Sequence, residues 1–146
     1  MMAEVVHLFR CMTHRIPMVS HEEIMAVENT GFAGCAHSRP GGRRQVLLMD
    51  VETLEEMKIA PGAVKENITT RGIDIRALKT GERLRIGEAL LEVTYRCDPC
   101  DRMNEIRAGL KDELRGHRGM LFRVVEGGRI RVGDSILNVE YAGLAR

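Results

Sequence analysis

The chain has 146 residues, of which 44% are hydrophobic, so it is long enough for one hydrophobic core and too short for two ordinary domains. A net charge of +1 and an aromatic content of 3%, with no tryptophan, argue against a nucleic-acid-binding protein. No stretch approaches the roughly 20 apolar residues of a membrane span, and the amino terminus lacks a basic region followed by an apolar one. We therefore expect one cytoplasmic domain, residues 1–146, that binds neither nucleic acid nor membrane.

Most of the chain is predicted to form short strands separated by glycine-rich turns. A helix interrupts this pattern at residues 51–59, where Asp50 suits the N-cap, Leu54 and Met57 face inward, and Pro61 and Gly62 follow the end. The eight predicted strands are residues 4–9, 23–27, 45–49, 83–86, 89–95, 121–125, 129–132 and 135–141.

The segment Cys-Asp-Pro-Cys-Asp at residues 97–101 predicts the start of a second helix. Asp98 suits the N-cap and Pro99 suits the first helical position. Cys100 would then lie in the first turn, where free backbone N–H groups and the helix dipole favour a thiolate. Apolar residues at spacings of three and four continue the helix, with a bend or an early end at Gly109, since glycine costs roughly 1 kcal/mol in a helix interior.

An internal repeat relates residues 81–95 to residues 127–141 at one fixed offset. Each copy reads as a hairpin with Gly87 or Gly133 at the first turn position, which is typical of a type II′ turn. Eight short strands with two or three short helices predict a mainly β fold. We expect a closed or nearly closed barrel, with an open sandwich as the alternative.

Two polar segments carry a resemblance to a known family. The run Glu-Asn-Ile-Thr-Thr-Arg-Gly at residues 66–72, followed downstream by Pro99 and Cys100, resembles the MOSC domain, named for the C-terminal domain of molybdenum cofactor sulfurases. The resemblance covers most of the chain from about Gly31 to Val139. It implies a β-rich barrel and a cysteine, Cys100, that carries sulfur as a persulfide or meets the metal of the molybdenum cofactor.

The resemblance also implies partners for this chain. If the chain is a transferase-like sulfur carrier, it would receive sulfur from a pyridoxal-phosphate-dependent cysteine desulfurase. The desulfurase would be a separate protein, because this chain is too short to contain one. The acceptor would be a molybdoenzyme or a protein of cofactor biosynthesis, and the molybdenum cofactor would be bound permanently or transiently. In an alternative, the chain is a component of a molybdenum-cofactor-dependent reductase for N-hydroxylated compounds, with Cys100 as the metal ligand.

The cofactor is an anionic molybdopterin that bears a phosphate, and such a ligand calls for arginines and polar donors around a cleft. If the pair Arg43 and Arg44 were strand-like, their side chains would face opposite sides, so at most one should enter a given pocket. The predicted cofactor-binding residues are Asn67, Thr69, Arg71, His37, Arg43 and Arg118.

The loop around Cys35 leaves a third interpretation open. Where the MOSC loop commonly has Gly-Asp followed closely by His, this chain has Gly-Cys-Ala-His at residues 34–37, so a thiol replaces an acid. Either the function of the loop has drifted, or Cys35 joins a cluster of thiols. Such a cluster could be a Cys₃His zinc site in a non-catalytic binding module, formed by Cys35, His37, Cys97 and Cys100.

Overall fold

The computed structural model describes residues 3–13 and 15–139, which form eleven strands, three short α-helices and one 3₁₀ turn. The helices are α1 (Val51–Glu56), α2 (Met103–Ile106) and α3 (Leu110–Glu113), and the 3₁₀ turn is Ile75–Ala77. The strands are β1 (Glu4–Arg10), β2 (Val19–His21), β3 (Glu23–Val27), β4 (Gly31–Phe32), β5 (Val46–Asp50), β6 (Ile68–Arg71), β7 (Arg83–Ile86), β8 (Ala89–Arg96), β9 (Met120–Glu126), β10 (Gly128–Arg131) and β11 (Ile136–Asn138).

The strands form two sheets. The larger has the order β11-β7-β8-β9-β5-β6-β1-β2, and the smaller has the order β10-β3-β4. Neighbouring strands are antiparallel except for β5 and β6, which run parallel and are connected through α1. A parallel pair needs such a crossover, since a tight turn can only reverse the chain. The main apolar cluster draws on strands of both sheets.

The prediction of a mainly β fold with two or three short helices is confirmed, but barrel closure is not. The start of β1 approaches β11 through an isolated bridge between Glu4 and Ser135. Beside it, the Ile136 N–H donates to the Ala3 carbonyl at 3.0 Å. This contact is not a continuous pairing of strands, and the two sheets remain open.

The predicted strands are found, two of them with the predicted bounds, β3 and β7. Residues 140 and 141 of the last predicted strand lie outside the described residues, and β11 is Ile136–Asn138. The sequence did not predict β2, β4 or β6. Strand β6 was expected to be part of a polar loop, yet its residues Thr69 and Thr70 are fully buried between β1 and β5. Their β-branched side chains suit a strand despite their hydroxyl groups.

The predicted first helix is confirmed, including its cap. The Asp50 carboxylate accepts hydrogen bonds from the Thr53 backbone N–H at 3.0 Å and from the Thr53 hydroxyl at 2.6 Å. Leu54 faces inward and is fully buried, as expected. The helix ends at Glu56, a little earlier than predicted.

The predicted start of the second helix is wrong. The first bond of the winding runs from the Met103 N–H to the Cys100 carbonyl, so Cys100 precedes α2 instead of lying in its first turn. The Cys97 N–H still donates to the Gly119 carbonyl at 3.0 Å, so the pairing with the residues before β9 continues through Cys97 and the helical winding begins only after Cys100. The break at Gly109 is confirmed, with a φ of +85° that separates α2 from α3. A four-residue helix that begins after Cys100 gives little support to activation of that thiol by a helix dipole.

No helix in the described part of the chain has the length and apolar character needed to cross a membrane.

Gly119 should be essential for the joint between β9 and β5. Its φ is +108°, and a Cβ there would overlap the carbonyl oxygen of Leu48. We expect Gly119→Ala to lower the free energy of unfolding by about 3 kcal/mol, from left-handed strain of about 1–2 kcal/mol plus the overlap. Gly81→Ala is the control, since φ there is +93° with nothing within 4 Å, and it should cost only the strain. Equal losses in urea unfolding of the two variants would contradict this account.

Candidate functional site

A pocket of about 610 Å³ lies where the loop of residues 36–44 meets β5, β8 and the residues before β9. Its lining includes the ring of His37, the phenol of Tyr95, the thiol of Cys97 and the side chains of Leu47 and Leu121. No carboxylate lines it among the residues that the structure describes. Five cationic side chains do: Arg39, Arg43, Arg44, Lys65 and Arg118.

Two of these arginines lie against Tyr95. The guanidinium carbons of Arg43 and Arg44 are 5.0 and 5.8 Å from the centroid of the Tyr95 ring, within cation–π range. Arg44 Nη1 also donates to the tyrosine hydroxyl at 3.1 Å. Both arginines line the pocket, so the limit to one, which was expected only if residues 43 and 44 were strand-like, does not apply. Strand β5 begins at Val46, so the alternation of a strand does not apply to residues 43 and 44.

Arg118 is a buried cation with unused hydrogen-bonding capacity. Its side chain donates from Nη2 to the Val64 carbonyl at 2.6 Å, whereas its Nε and Nη1 atoms are buried and have no partner in the described structure. Buried donors without partners are rare in folded proteins. At the wall of the pocket, Arg118 therefore has two donor atoms, Nε and Nη1, without partners.

Glu66 lies behind this wall. It is fully buried and accepts hydrogen bonds from the Gly62 N–H at 2.8 Å and the Thr69 hydroxyl at 2.9 Å. Burial raises the pKa of Glu66, although these hydrogen bonds and the charge of Arg118 act in the opposite direction. Thr69, predicted to bind a cofactor, therefore uses its hydroxyl on Glu66, and it is not part of the pocket lining.

Asn67 links the pocket loop to the strands. Its Oδ1 accepts from the Leu47 N–H at 3.0 Å and contacts His37 Nδ1 at 3.3 Å. Its Nδ2 donates to the Phe9 carbonyl at 3.2 Å and to Cys35 Sγ at 3.4 Å. The amide thereby uses all four of its hydrogen-bonding positions. Asn67 does not line the pocket itself, but it holds His37, which does.

The described cysteine whose pKa is lowered is Cys35. Burial would raise the pKa of this thiol, but hydrogen bonds from the His37 side chain and from the backbone N–H groups of Cys11 and His37 lower it to about 7. The sequence signal was present, because Cys35 replaces an acid of the MOSC loop. From the sequence, this replacement predicts only that the function of the loop has drifted or that Cys35 joins a cluster of thiols.

Two further predicted site residues, Arg71 and Cys100, do not line the pocket. Arg71 ends β6 and is not part of the lining. Cys100 is exposed and is also absent from the lining, while Cys97 is buried on the wall. The predicted zinc site is not formed: over residues 3–13 and 15–139, no three His, Cys, Asp or Glu side chains lie close enough together to hold a metal ion.

The sequence matches the MOSC domain family over residues 41–137. No curated protein matches it. Among solved structures, YuaD from Bacillus subtilis is similar with a TM-score of 0.82 and 20% identity, covering 93% of this chain and 94% of YuaD. YiiM from Geobacillus stearothermophilus has a TM-score of 0.78 and 18% identity, covering 94% and 75% of the two chains. YiiM from Escherichia coli has a TM-score of 0.65 and 22% identity, covering 92% and 69%. At these identities the structural likeness shows a shared fold.

Asn67→Ala should destabilise the protein strongly. The change leaves the buried Leu47 N–H and Phe9 carbonyl without their side-chain partner, and each such group costs roughly 1–3 kcal/mol. We expect a loss of about 2–4 kcal/mol in the free energy of unfolding. Asn138→Ala is the control, because the amide of this exposed residue makes one bond to Glu82, and its effect should stay within about 0.5 kcal/mol. A similar small loss for both variants in denaturant titrations would disprove the role given to Asn67.

Proposed function

This chain belongs to the MOSC domain family, a family associated with the molybdenum cofactor, and we propose that its basic pocket binds that cofactor. The observation that carries the proposal is the charge of the lining, five cations with no carboxylate among the described residues. Such a concentration of one charge attracts an anion and strengthens its binding. The phosphate of molybdopterin is an anion of this kind.

The residues present fit this ligand. Arginine forms paired hydrogen bonds with phosphate oxygens, and Arg118 has buried donors without partners beside the pocket. Arg43 and Arg44 are exposed and lie side by side over Tyr95, so both can reach a ligand at the mouth. These three side chains would hold the phosphate end. When bound, the cofactor supplies redox and sulfur-transfer chemistry at its molybdenum.

We further propose that Cys100 carries sulfur to the site. Its exposure supports this role, because a carrier thiol must reach a partner enzyme. The Cys100 thiolate would attack the outer sulfur of a persulfide on a pyridoxal-phosphate-dependent cysteine desulfurase. A new S–S bond forms on Cys100, the S–S bond of the donor breaks, and the donor cysteine leaves as a thiolate. A nucleophile on a molybdoenzyme or a cofactor-biosynthesis protein would then take the outer sulfur and release the Cys100 thiolate.

Direct binding of molybdenum by Cys100, as in a reductase for N-hydroxylated compounds, has less support. The thiol on the pocket wall is Cys97, and Cys100 is absent from the lining. Sulfur carriage needs an accessible thiol, whereas metal ligation needs a thiol inside the pocket.

The arginine pair should be required for cofactor binding. We expect the double variant Arg43→Ala, Arg44→Ala to bind the cofactor at least tenfold more weakly, since hydrogen bonds to charged groups are worth about 1.5–3 kcal/mol each. Arg129→Ala is the control, because that guanidinium pairs with Glu23 and does not line the pocket. The measurements are molybdenum by mass spectrometry and pterin by fluorescence after oxidation of the purified protein. Equal loading of the double variant and the wild type would refute the proposal.

Cys100 should acquire one sulfur atom from a desulfurase. After incubation with the desulfurase and cysteine, peptide mass spectrometry should find one added sulfur on the segment with Cys97 and Cys100, released by a thiol reductant. Cys100→Ser should remove the modification, and Cys97→Ser, the matched control at the buried cysteine three residues earlier, should retain it. Persistence of the added sulfur in Cys100→Ser would exclude this assignment.

A further inference from the structure

The sulfur of Cys35 is surrounded by donors whose direction is fixed. The backbone N–H of Cys11 donates to it at 3.3 Å, and a backbone N–H can only donate. Asn67 Nδ2 donates to it at 3.4 Å. The orientation of that amide is set by two backbone groups, the Leu47 N–H that meets Oδ1 and the Phe9 carbonyl that meets Nδ2. Neither donor can turn its hydrogen away from the sulfur.

His37 is joined to the same Asn67 amide. The carbonyl oxygen of Asn67 only accepts, so the His37 Nδ1 that lies 3.3 Å from it must carry a hydrogen. His37 also lowers the pKa of the Cys35 thiol. The sulfur thus receives two hydrogen bonds of fixed direction, and Cys35 is more than nine-tenths buried. An anion is the species that such a set of donors stabilises.

We propose that Cys35 is a thiolate at neutral pH and that its charge positions His37 on the wall of the pocket. Cys35 is a positioning residue in this proposal, since it does not line the pocket and acts through His37, which does. The placement of His37 follows from the structure alone. Only its consequence for cofactor binding rests on the function proposed above.

The neighbouring charged groups are consistent with a single thiolate. Cys11 is buried beside Cys35, and its S–H donates to the Thr13 carbonyl at 3.3 Å. Burial raises the pKa of Cys11, and the charge of Cys35 raises it further, although the charge of Lys65 and a backbone hydrogen bond from Thr13 act in the opposite direction. Cys11 therefore stays protonated while Cys35 ionises. His37 and Cys11 act on the pKa of Cys35, and Lys65 acts on the pKa of Cys11.

The expected pH dependence follows from the lowered pKa of Cys35, about 7 in the folded protein against an ordinary value of 9.0. Between these values the unfolded chain binds a proton that the folded chain does not, so stability rises with pH. The contribution is complete above about pH 9 and is lost as the pH falls through 7. The stability of the wild type relative to Cys35→Ser should therefore increase between pH 7 and 9 and be flat on either side.

The first experiment titrates the cofactor-free protein and follows the ultraviolet absorbance of thiolate. We expect one thiolate to appear around pH 7 in the wild type, to vanish in Cys35→Ser, and to remain in Cys97→Ser. If no thiolate forms in the wild type until well above pH 8, the proposal is overturned. The wild-type titration can overturn the proposal by itself, whether or not a variant folds poorly.

The second experiment tests positioning through the ring signals of His37 in NMR spectra of the same cofactor-free protein. In the wild type these signals should shift with the ionisation of Cys35, and in Cys35→Ser that shift should be absent. Cys35→Asp, which keeps a short anionic side chain, should restore the high-pH position of the ring signals. Identical His37 signals in wild type and Cys35→Ser at every pH would show a merely structural cysteine. Neither readout uses the cofactor, so failure of cofactor binding and failure of this proposal remain distinguishable.

Discussion

The site depends on one buried side chain amide, that of Asn67. Its four hydrogen bonds tie β1 at Phe9 and β5 at Leu47 to the loop that carries Cys35 and His37. A buried amide with any of these bonds missing would pay a desolvation cost that the fold does not recover elsewhere. The position of the pocket loop is therefore fixed by the same group that joins two strands of the larger sheet.

The charges around the pocket are separated into two layers. Cations face the cavity, with Arg43 and Arg44 against Tyr95 and Arg118 at the wall. Glu66, on whose pKa the charge of Arg118 acts, and Cys35, on whose pKa His37 acts, do not line the cavity. Among the described residues, no acidic side chain therefore neutralises the surface that a ligand meets. A phosphate-bearing anion is the complementary ligand.

Local patterns in the sequence were reliable where local forces decide the structure. The Asp50 cap, the break at Gly109 and the hairpin strands β7 and β8 follow from short-range chemistry and were predicted correctly. The start of the second helix was not, since the Cys97 N–H continues the strand pairing by donating to the Gly119 carbonyl. That pairing joins residues far apart in the chain, and no local pattern contains it.

The sequence by itself determined the class of fold, the MOSC resemblance and three residues of the pocket lining, His37, Arg43 and Arg118. These follow from short motifs and from the chemistry of single residues, which can be recognised without the tertiary structure. Only the tertiary structure decided which side chains meet. It turned Thr69 towards Glu66, placed both Arg43 and Arg44 at one pocket, and gave the fixed donors of Cys11 and Asn67 to Cys35. The acidity of a thiol is set by the groups packed around it, and these come from distant parts of the chain.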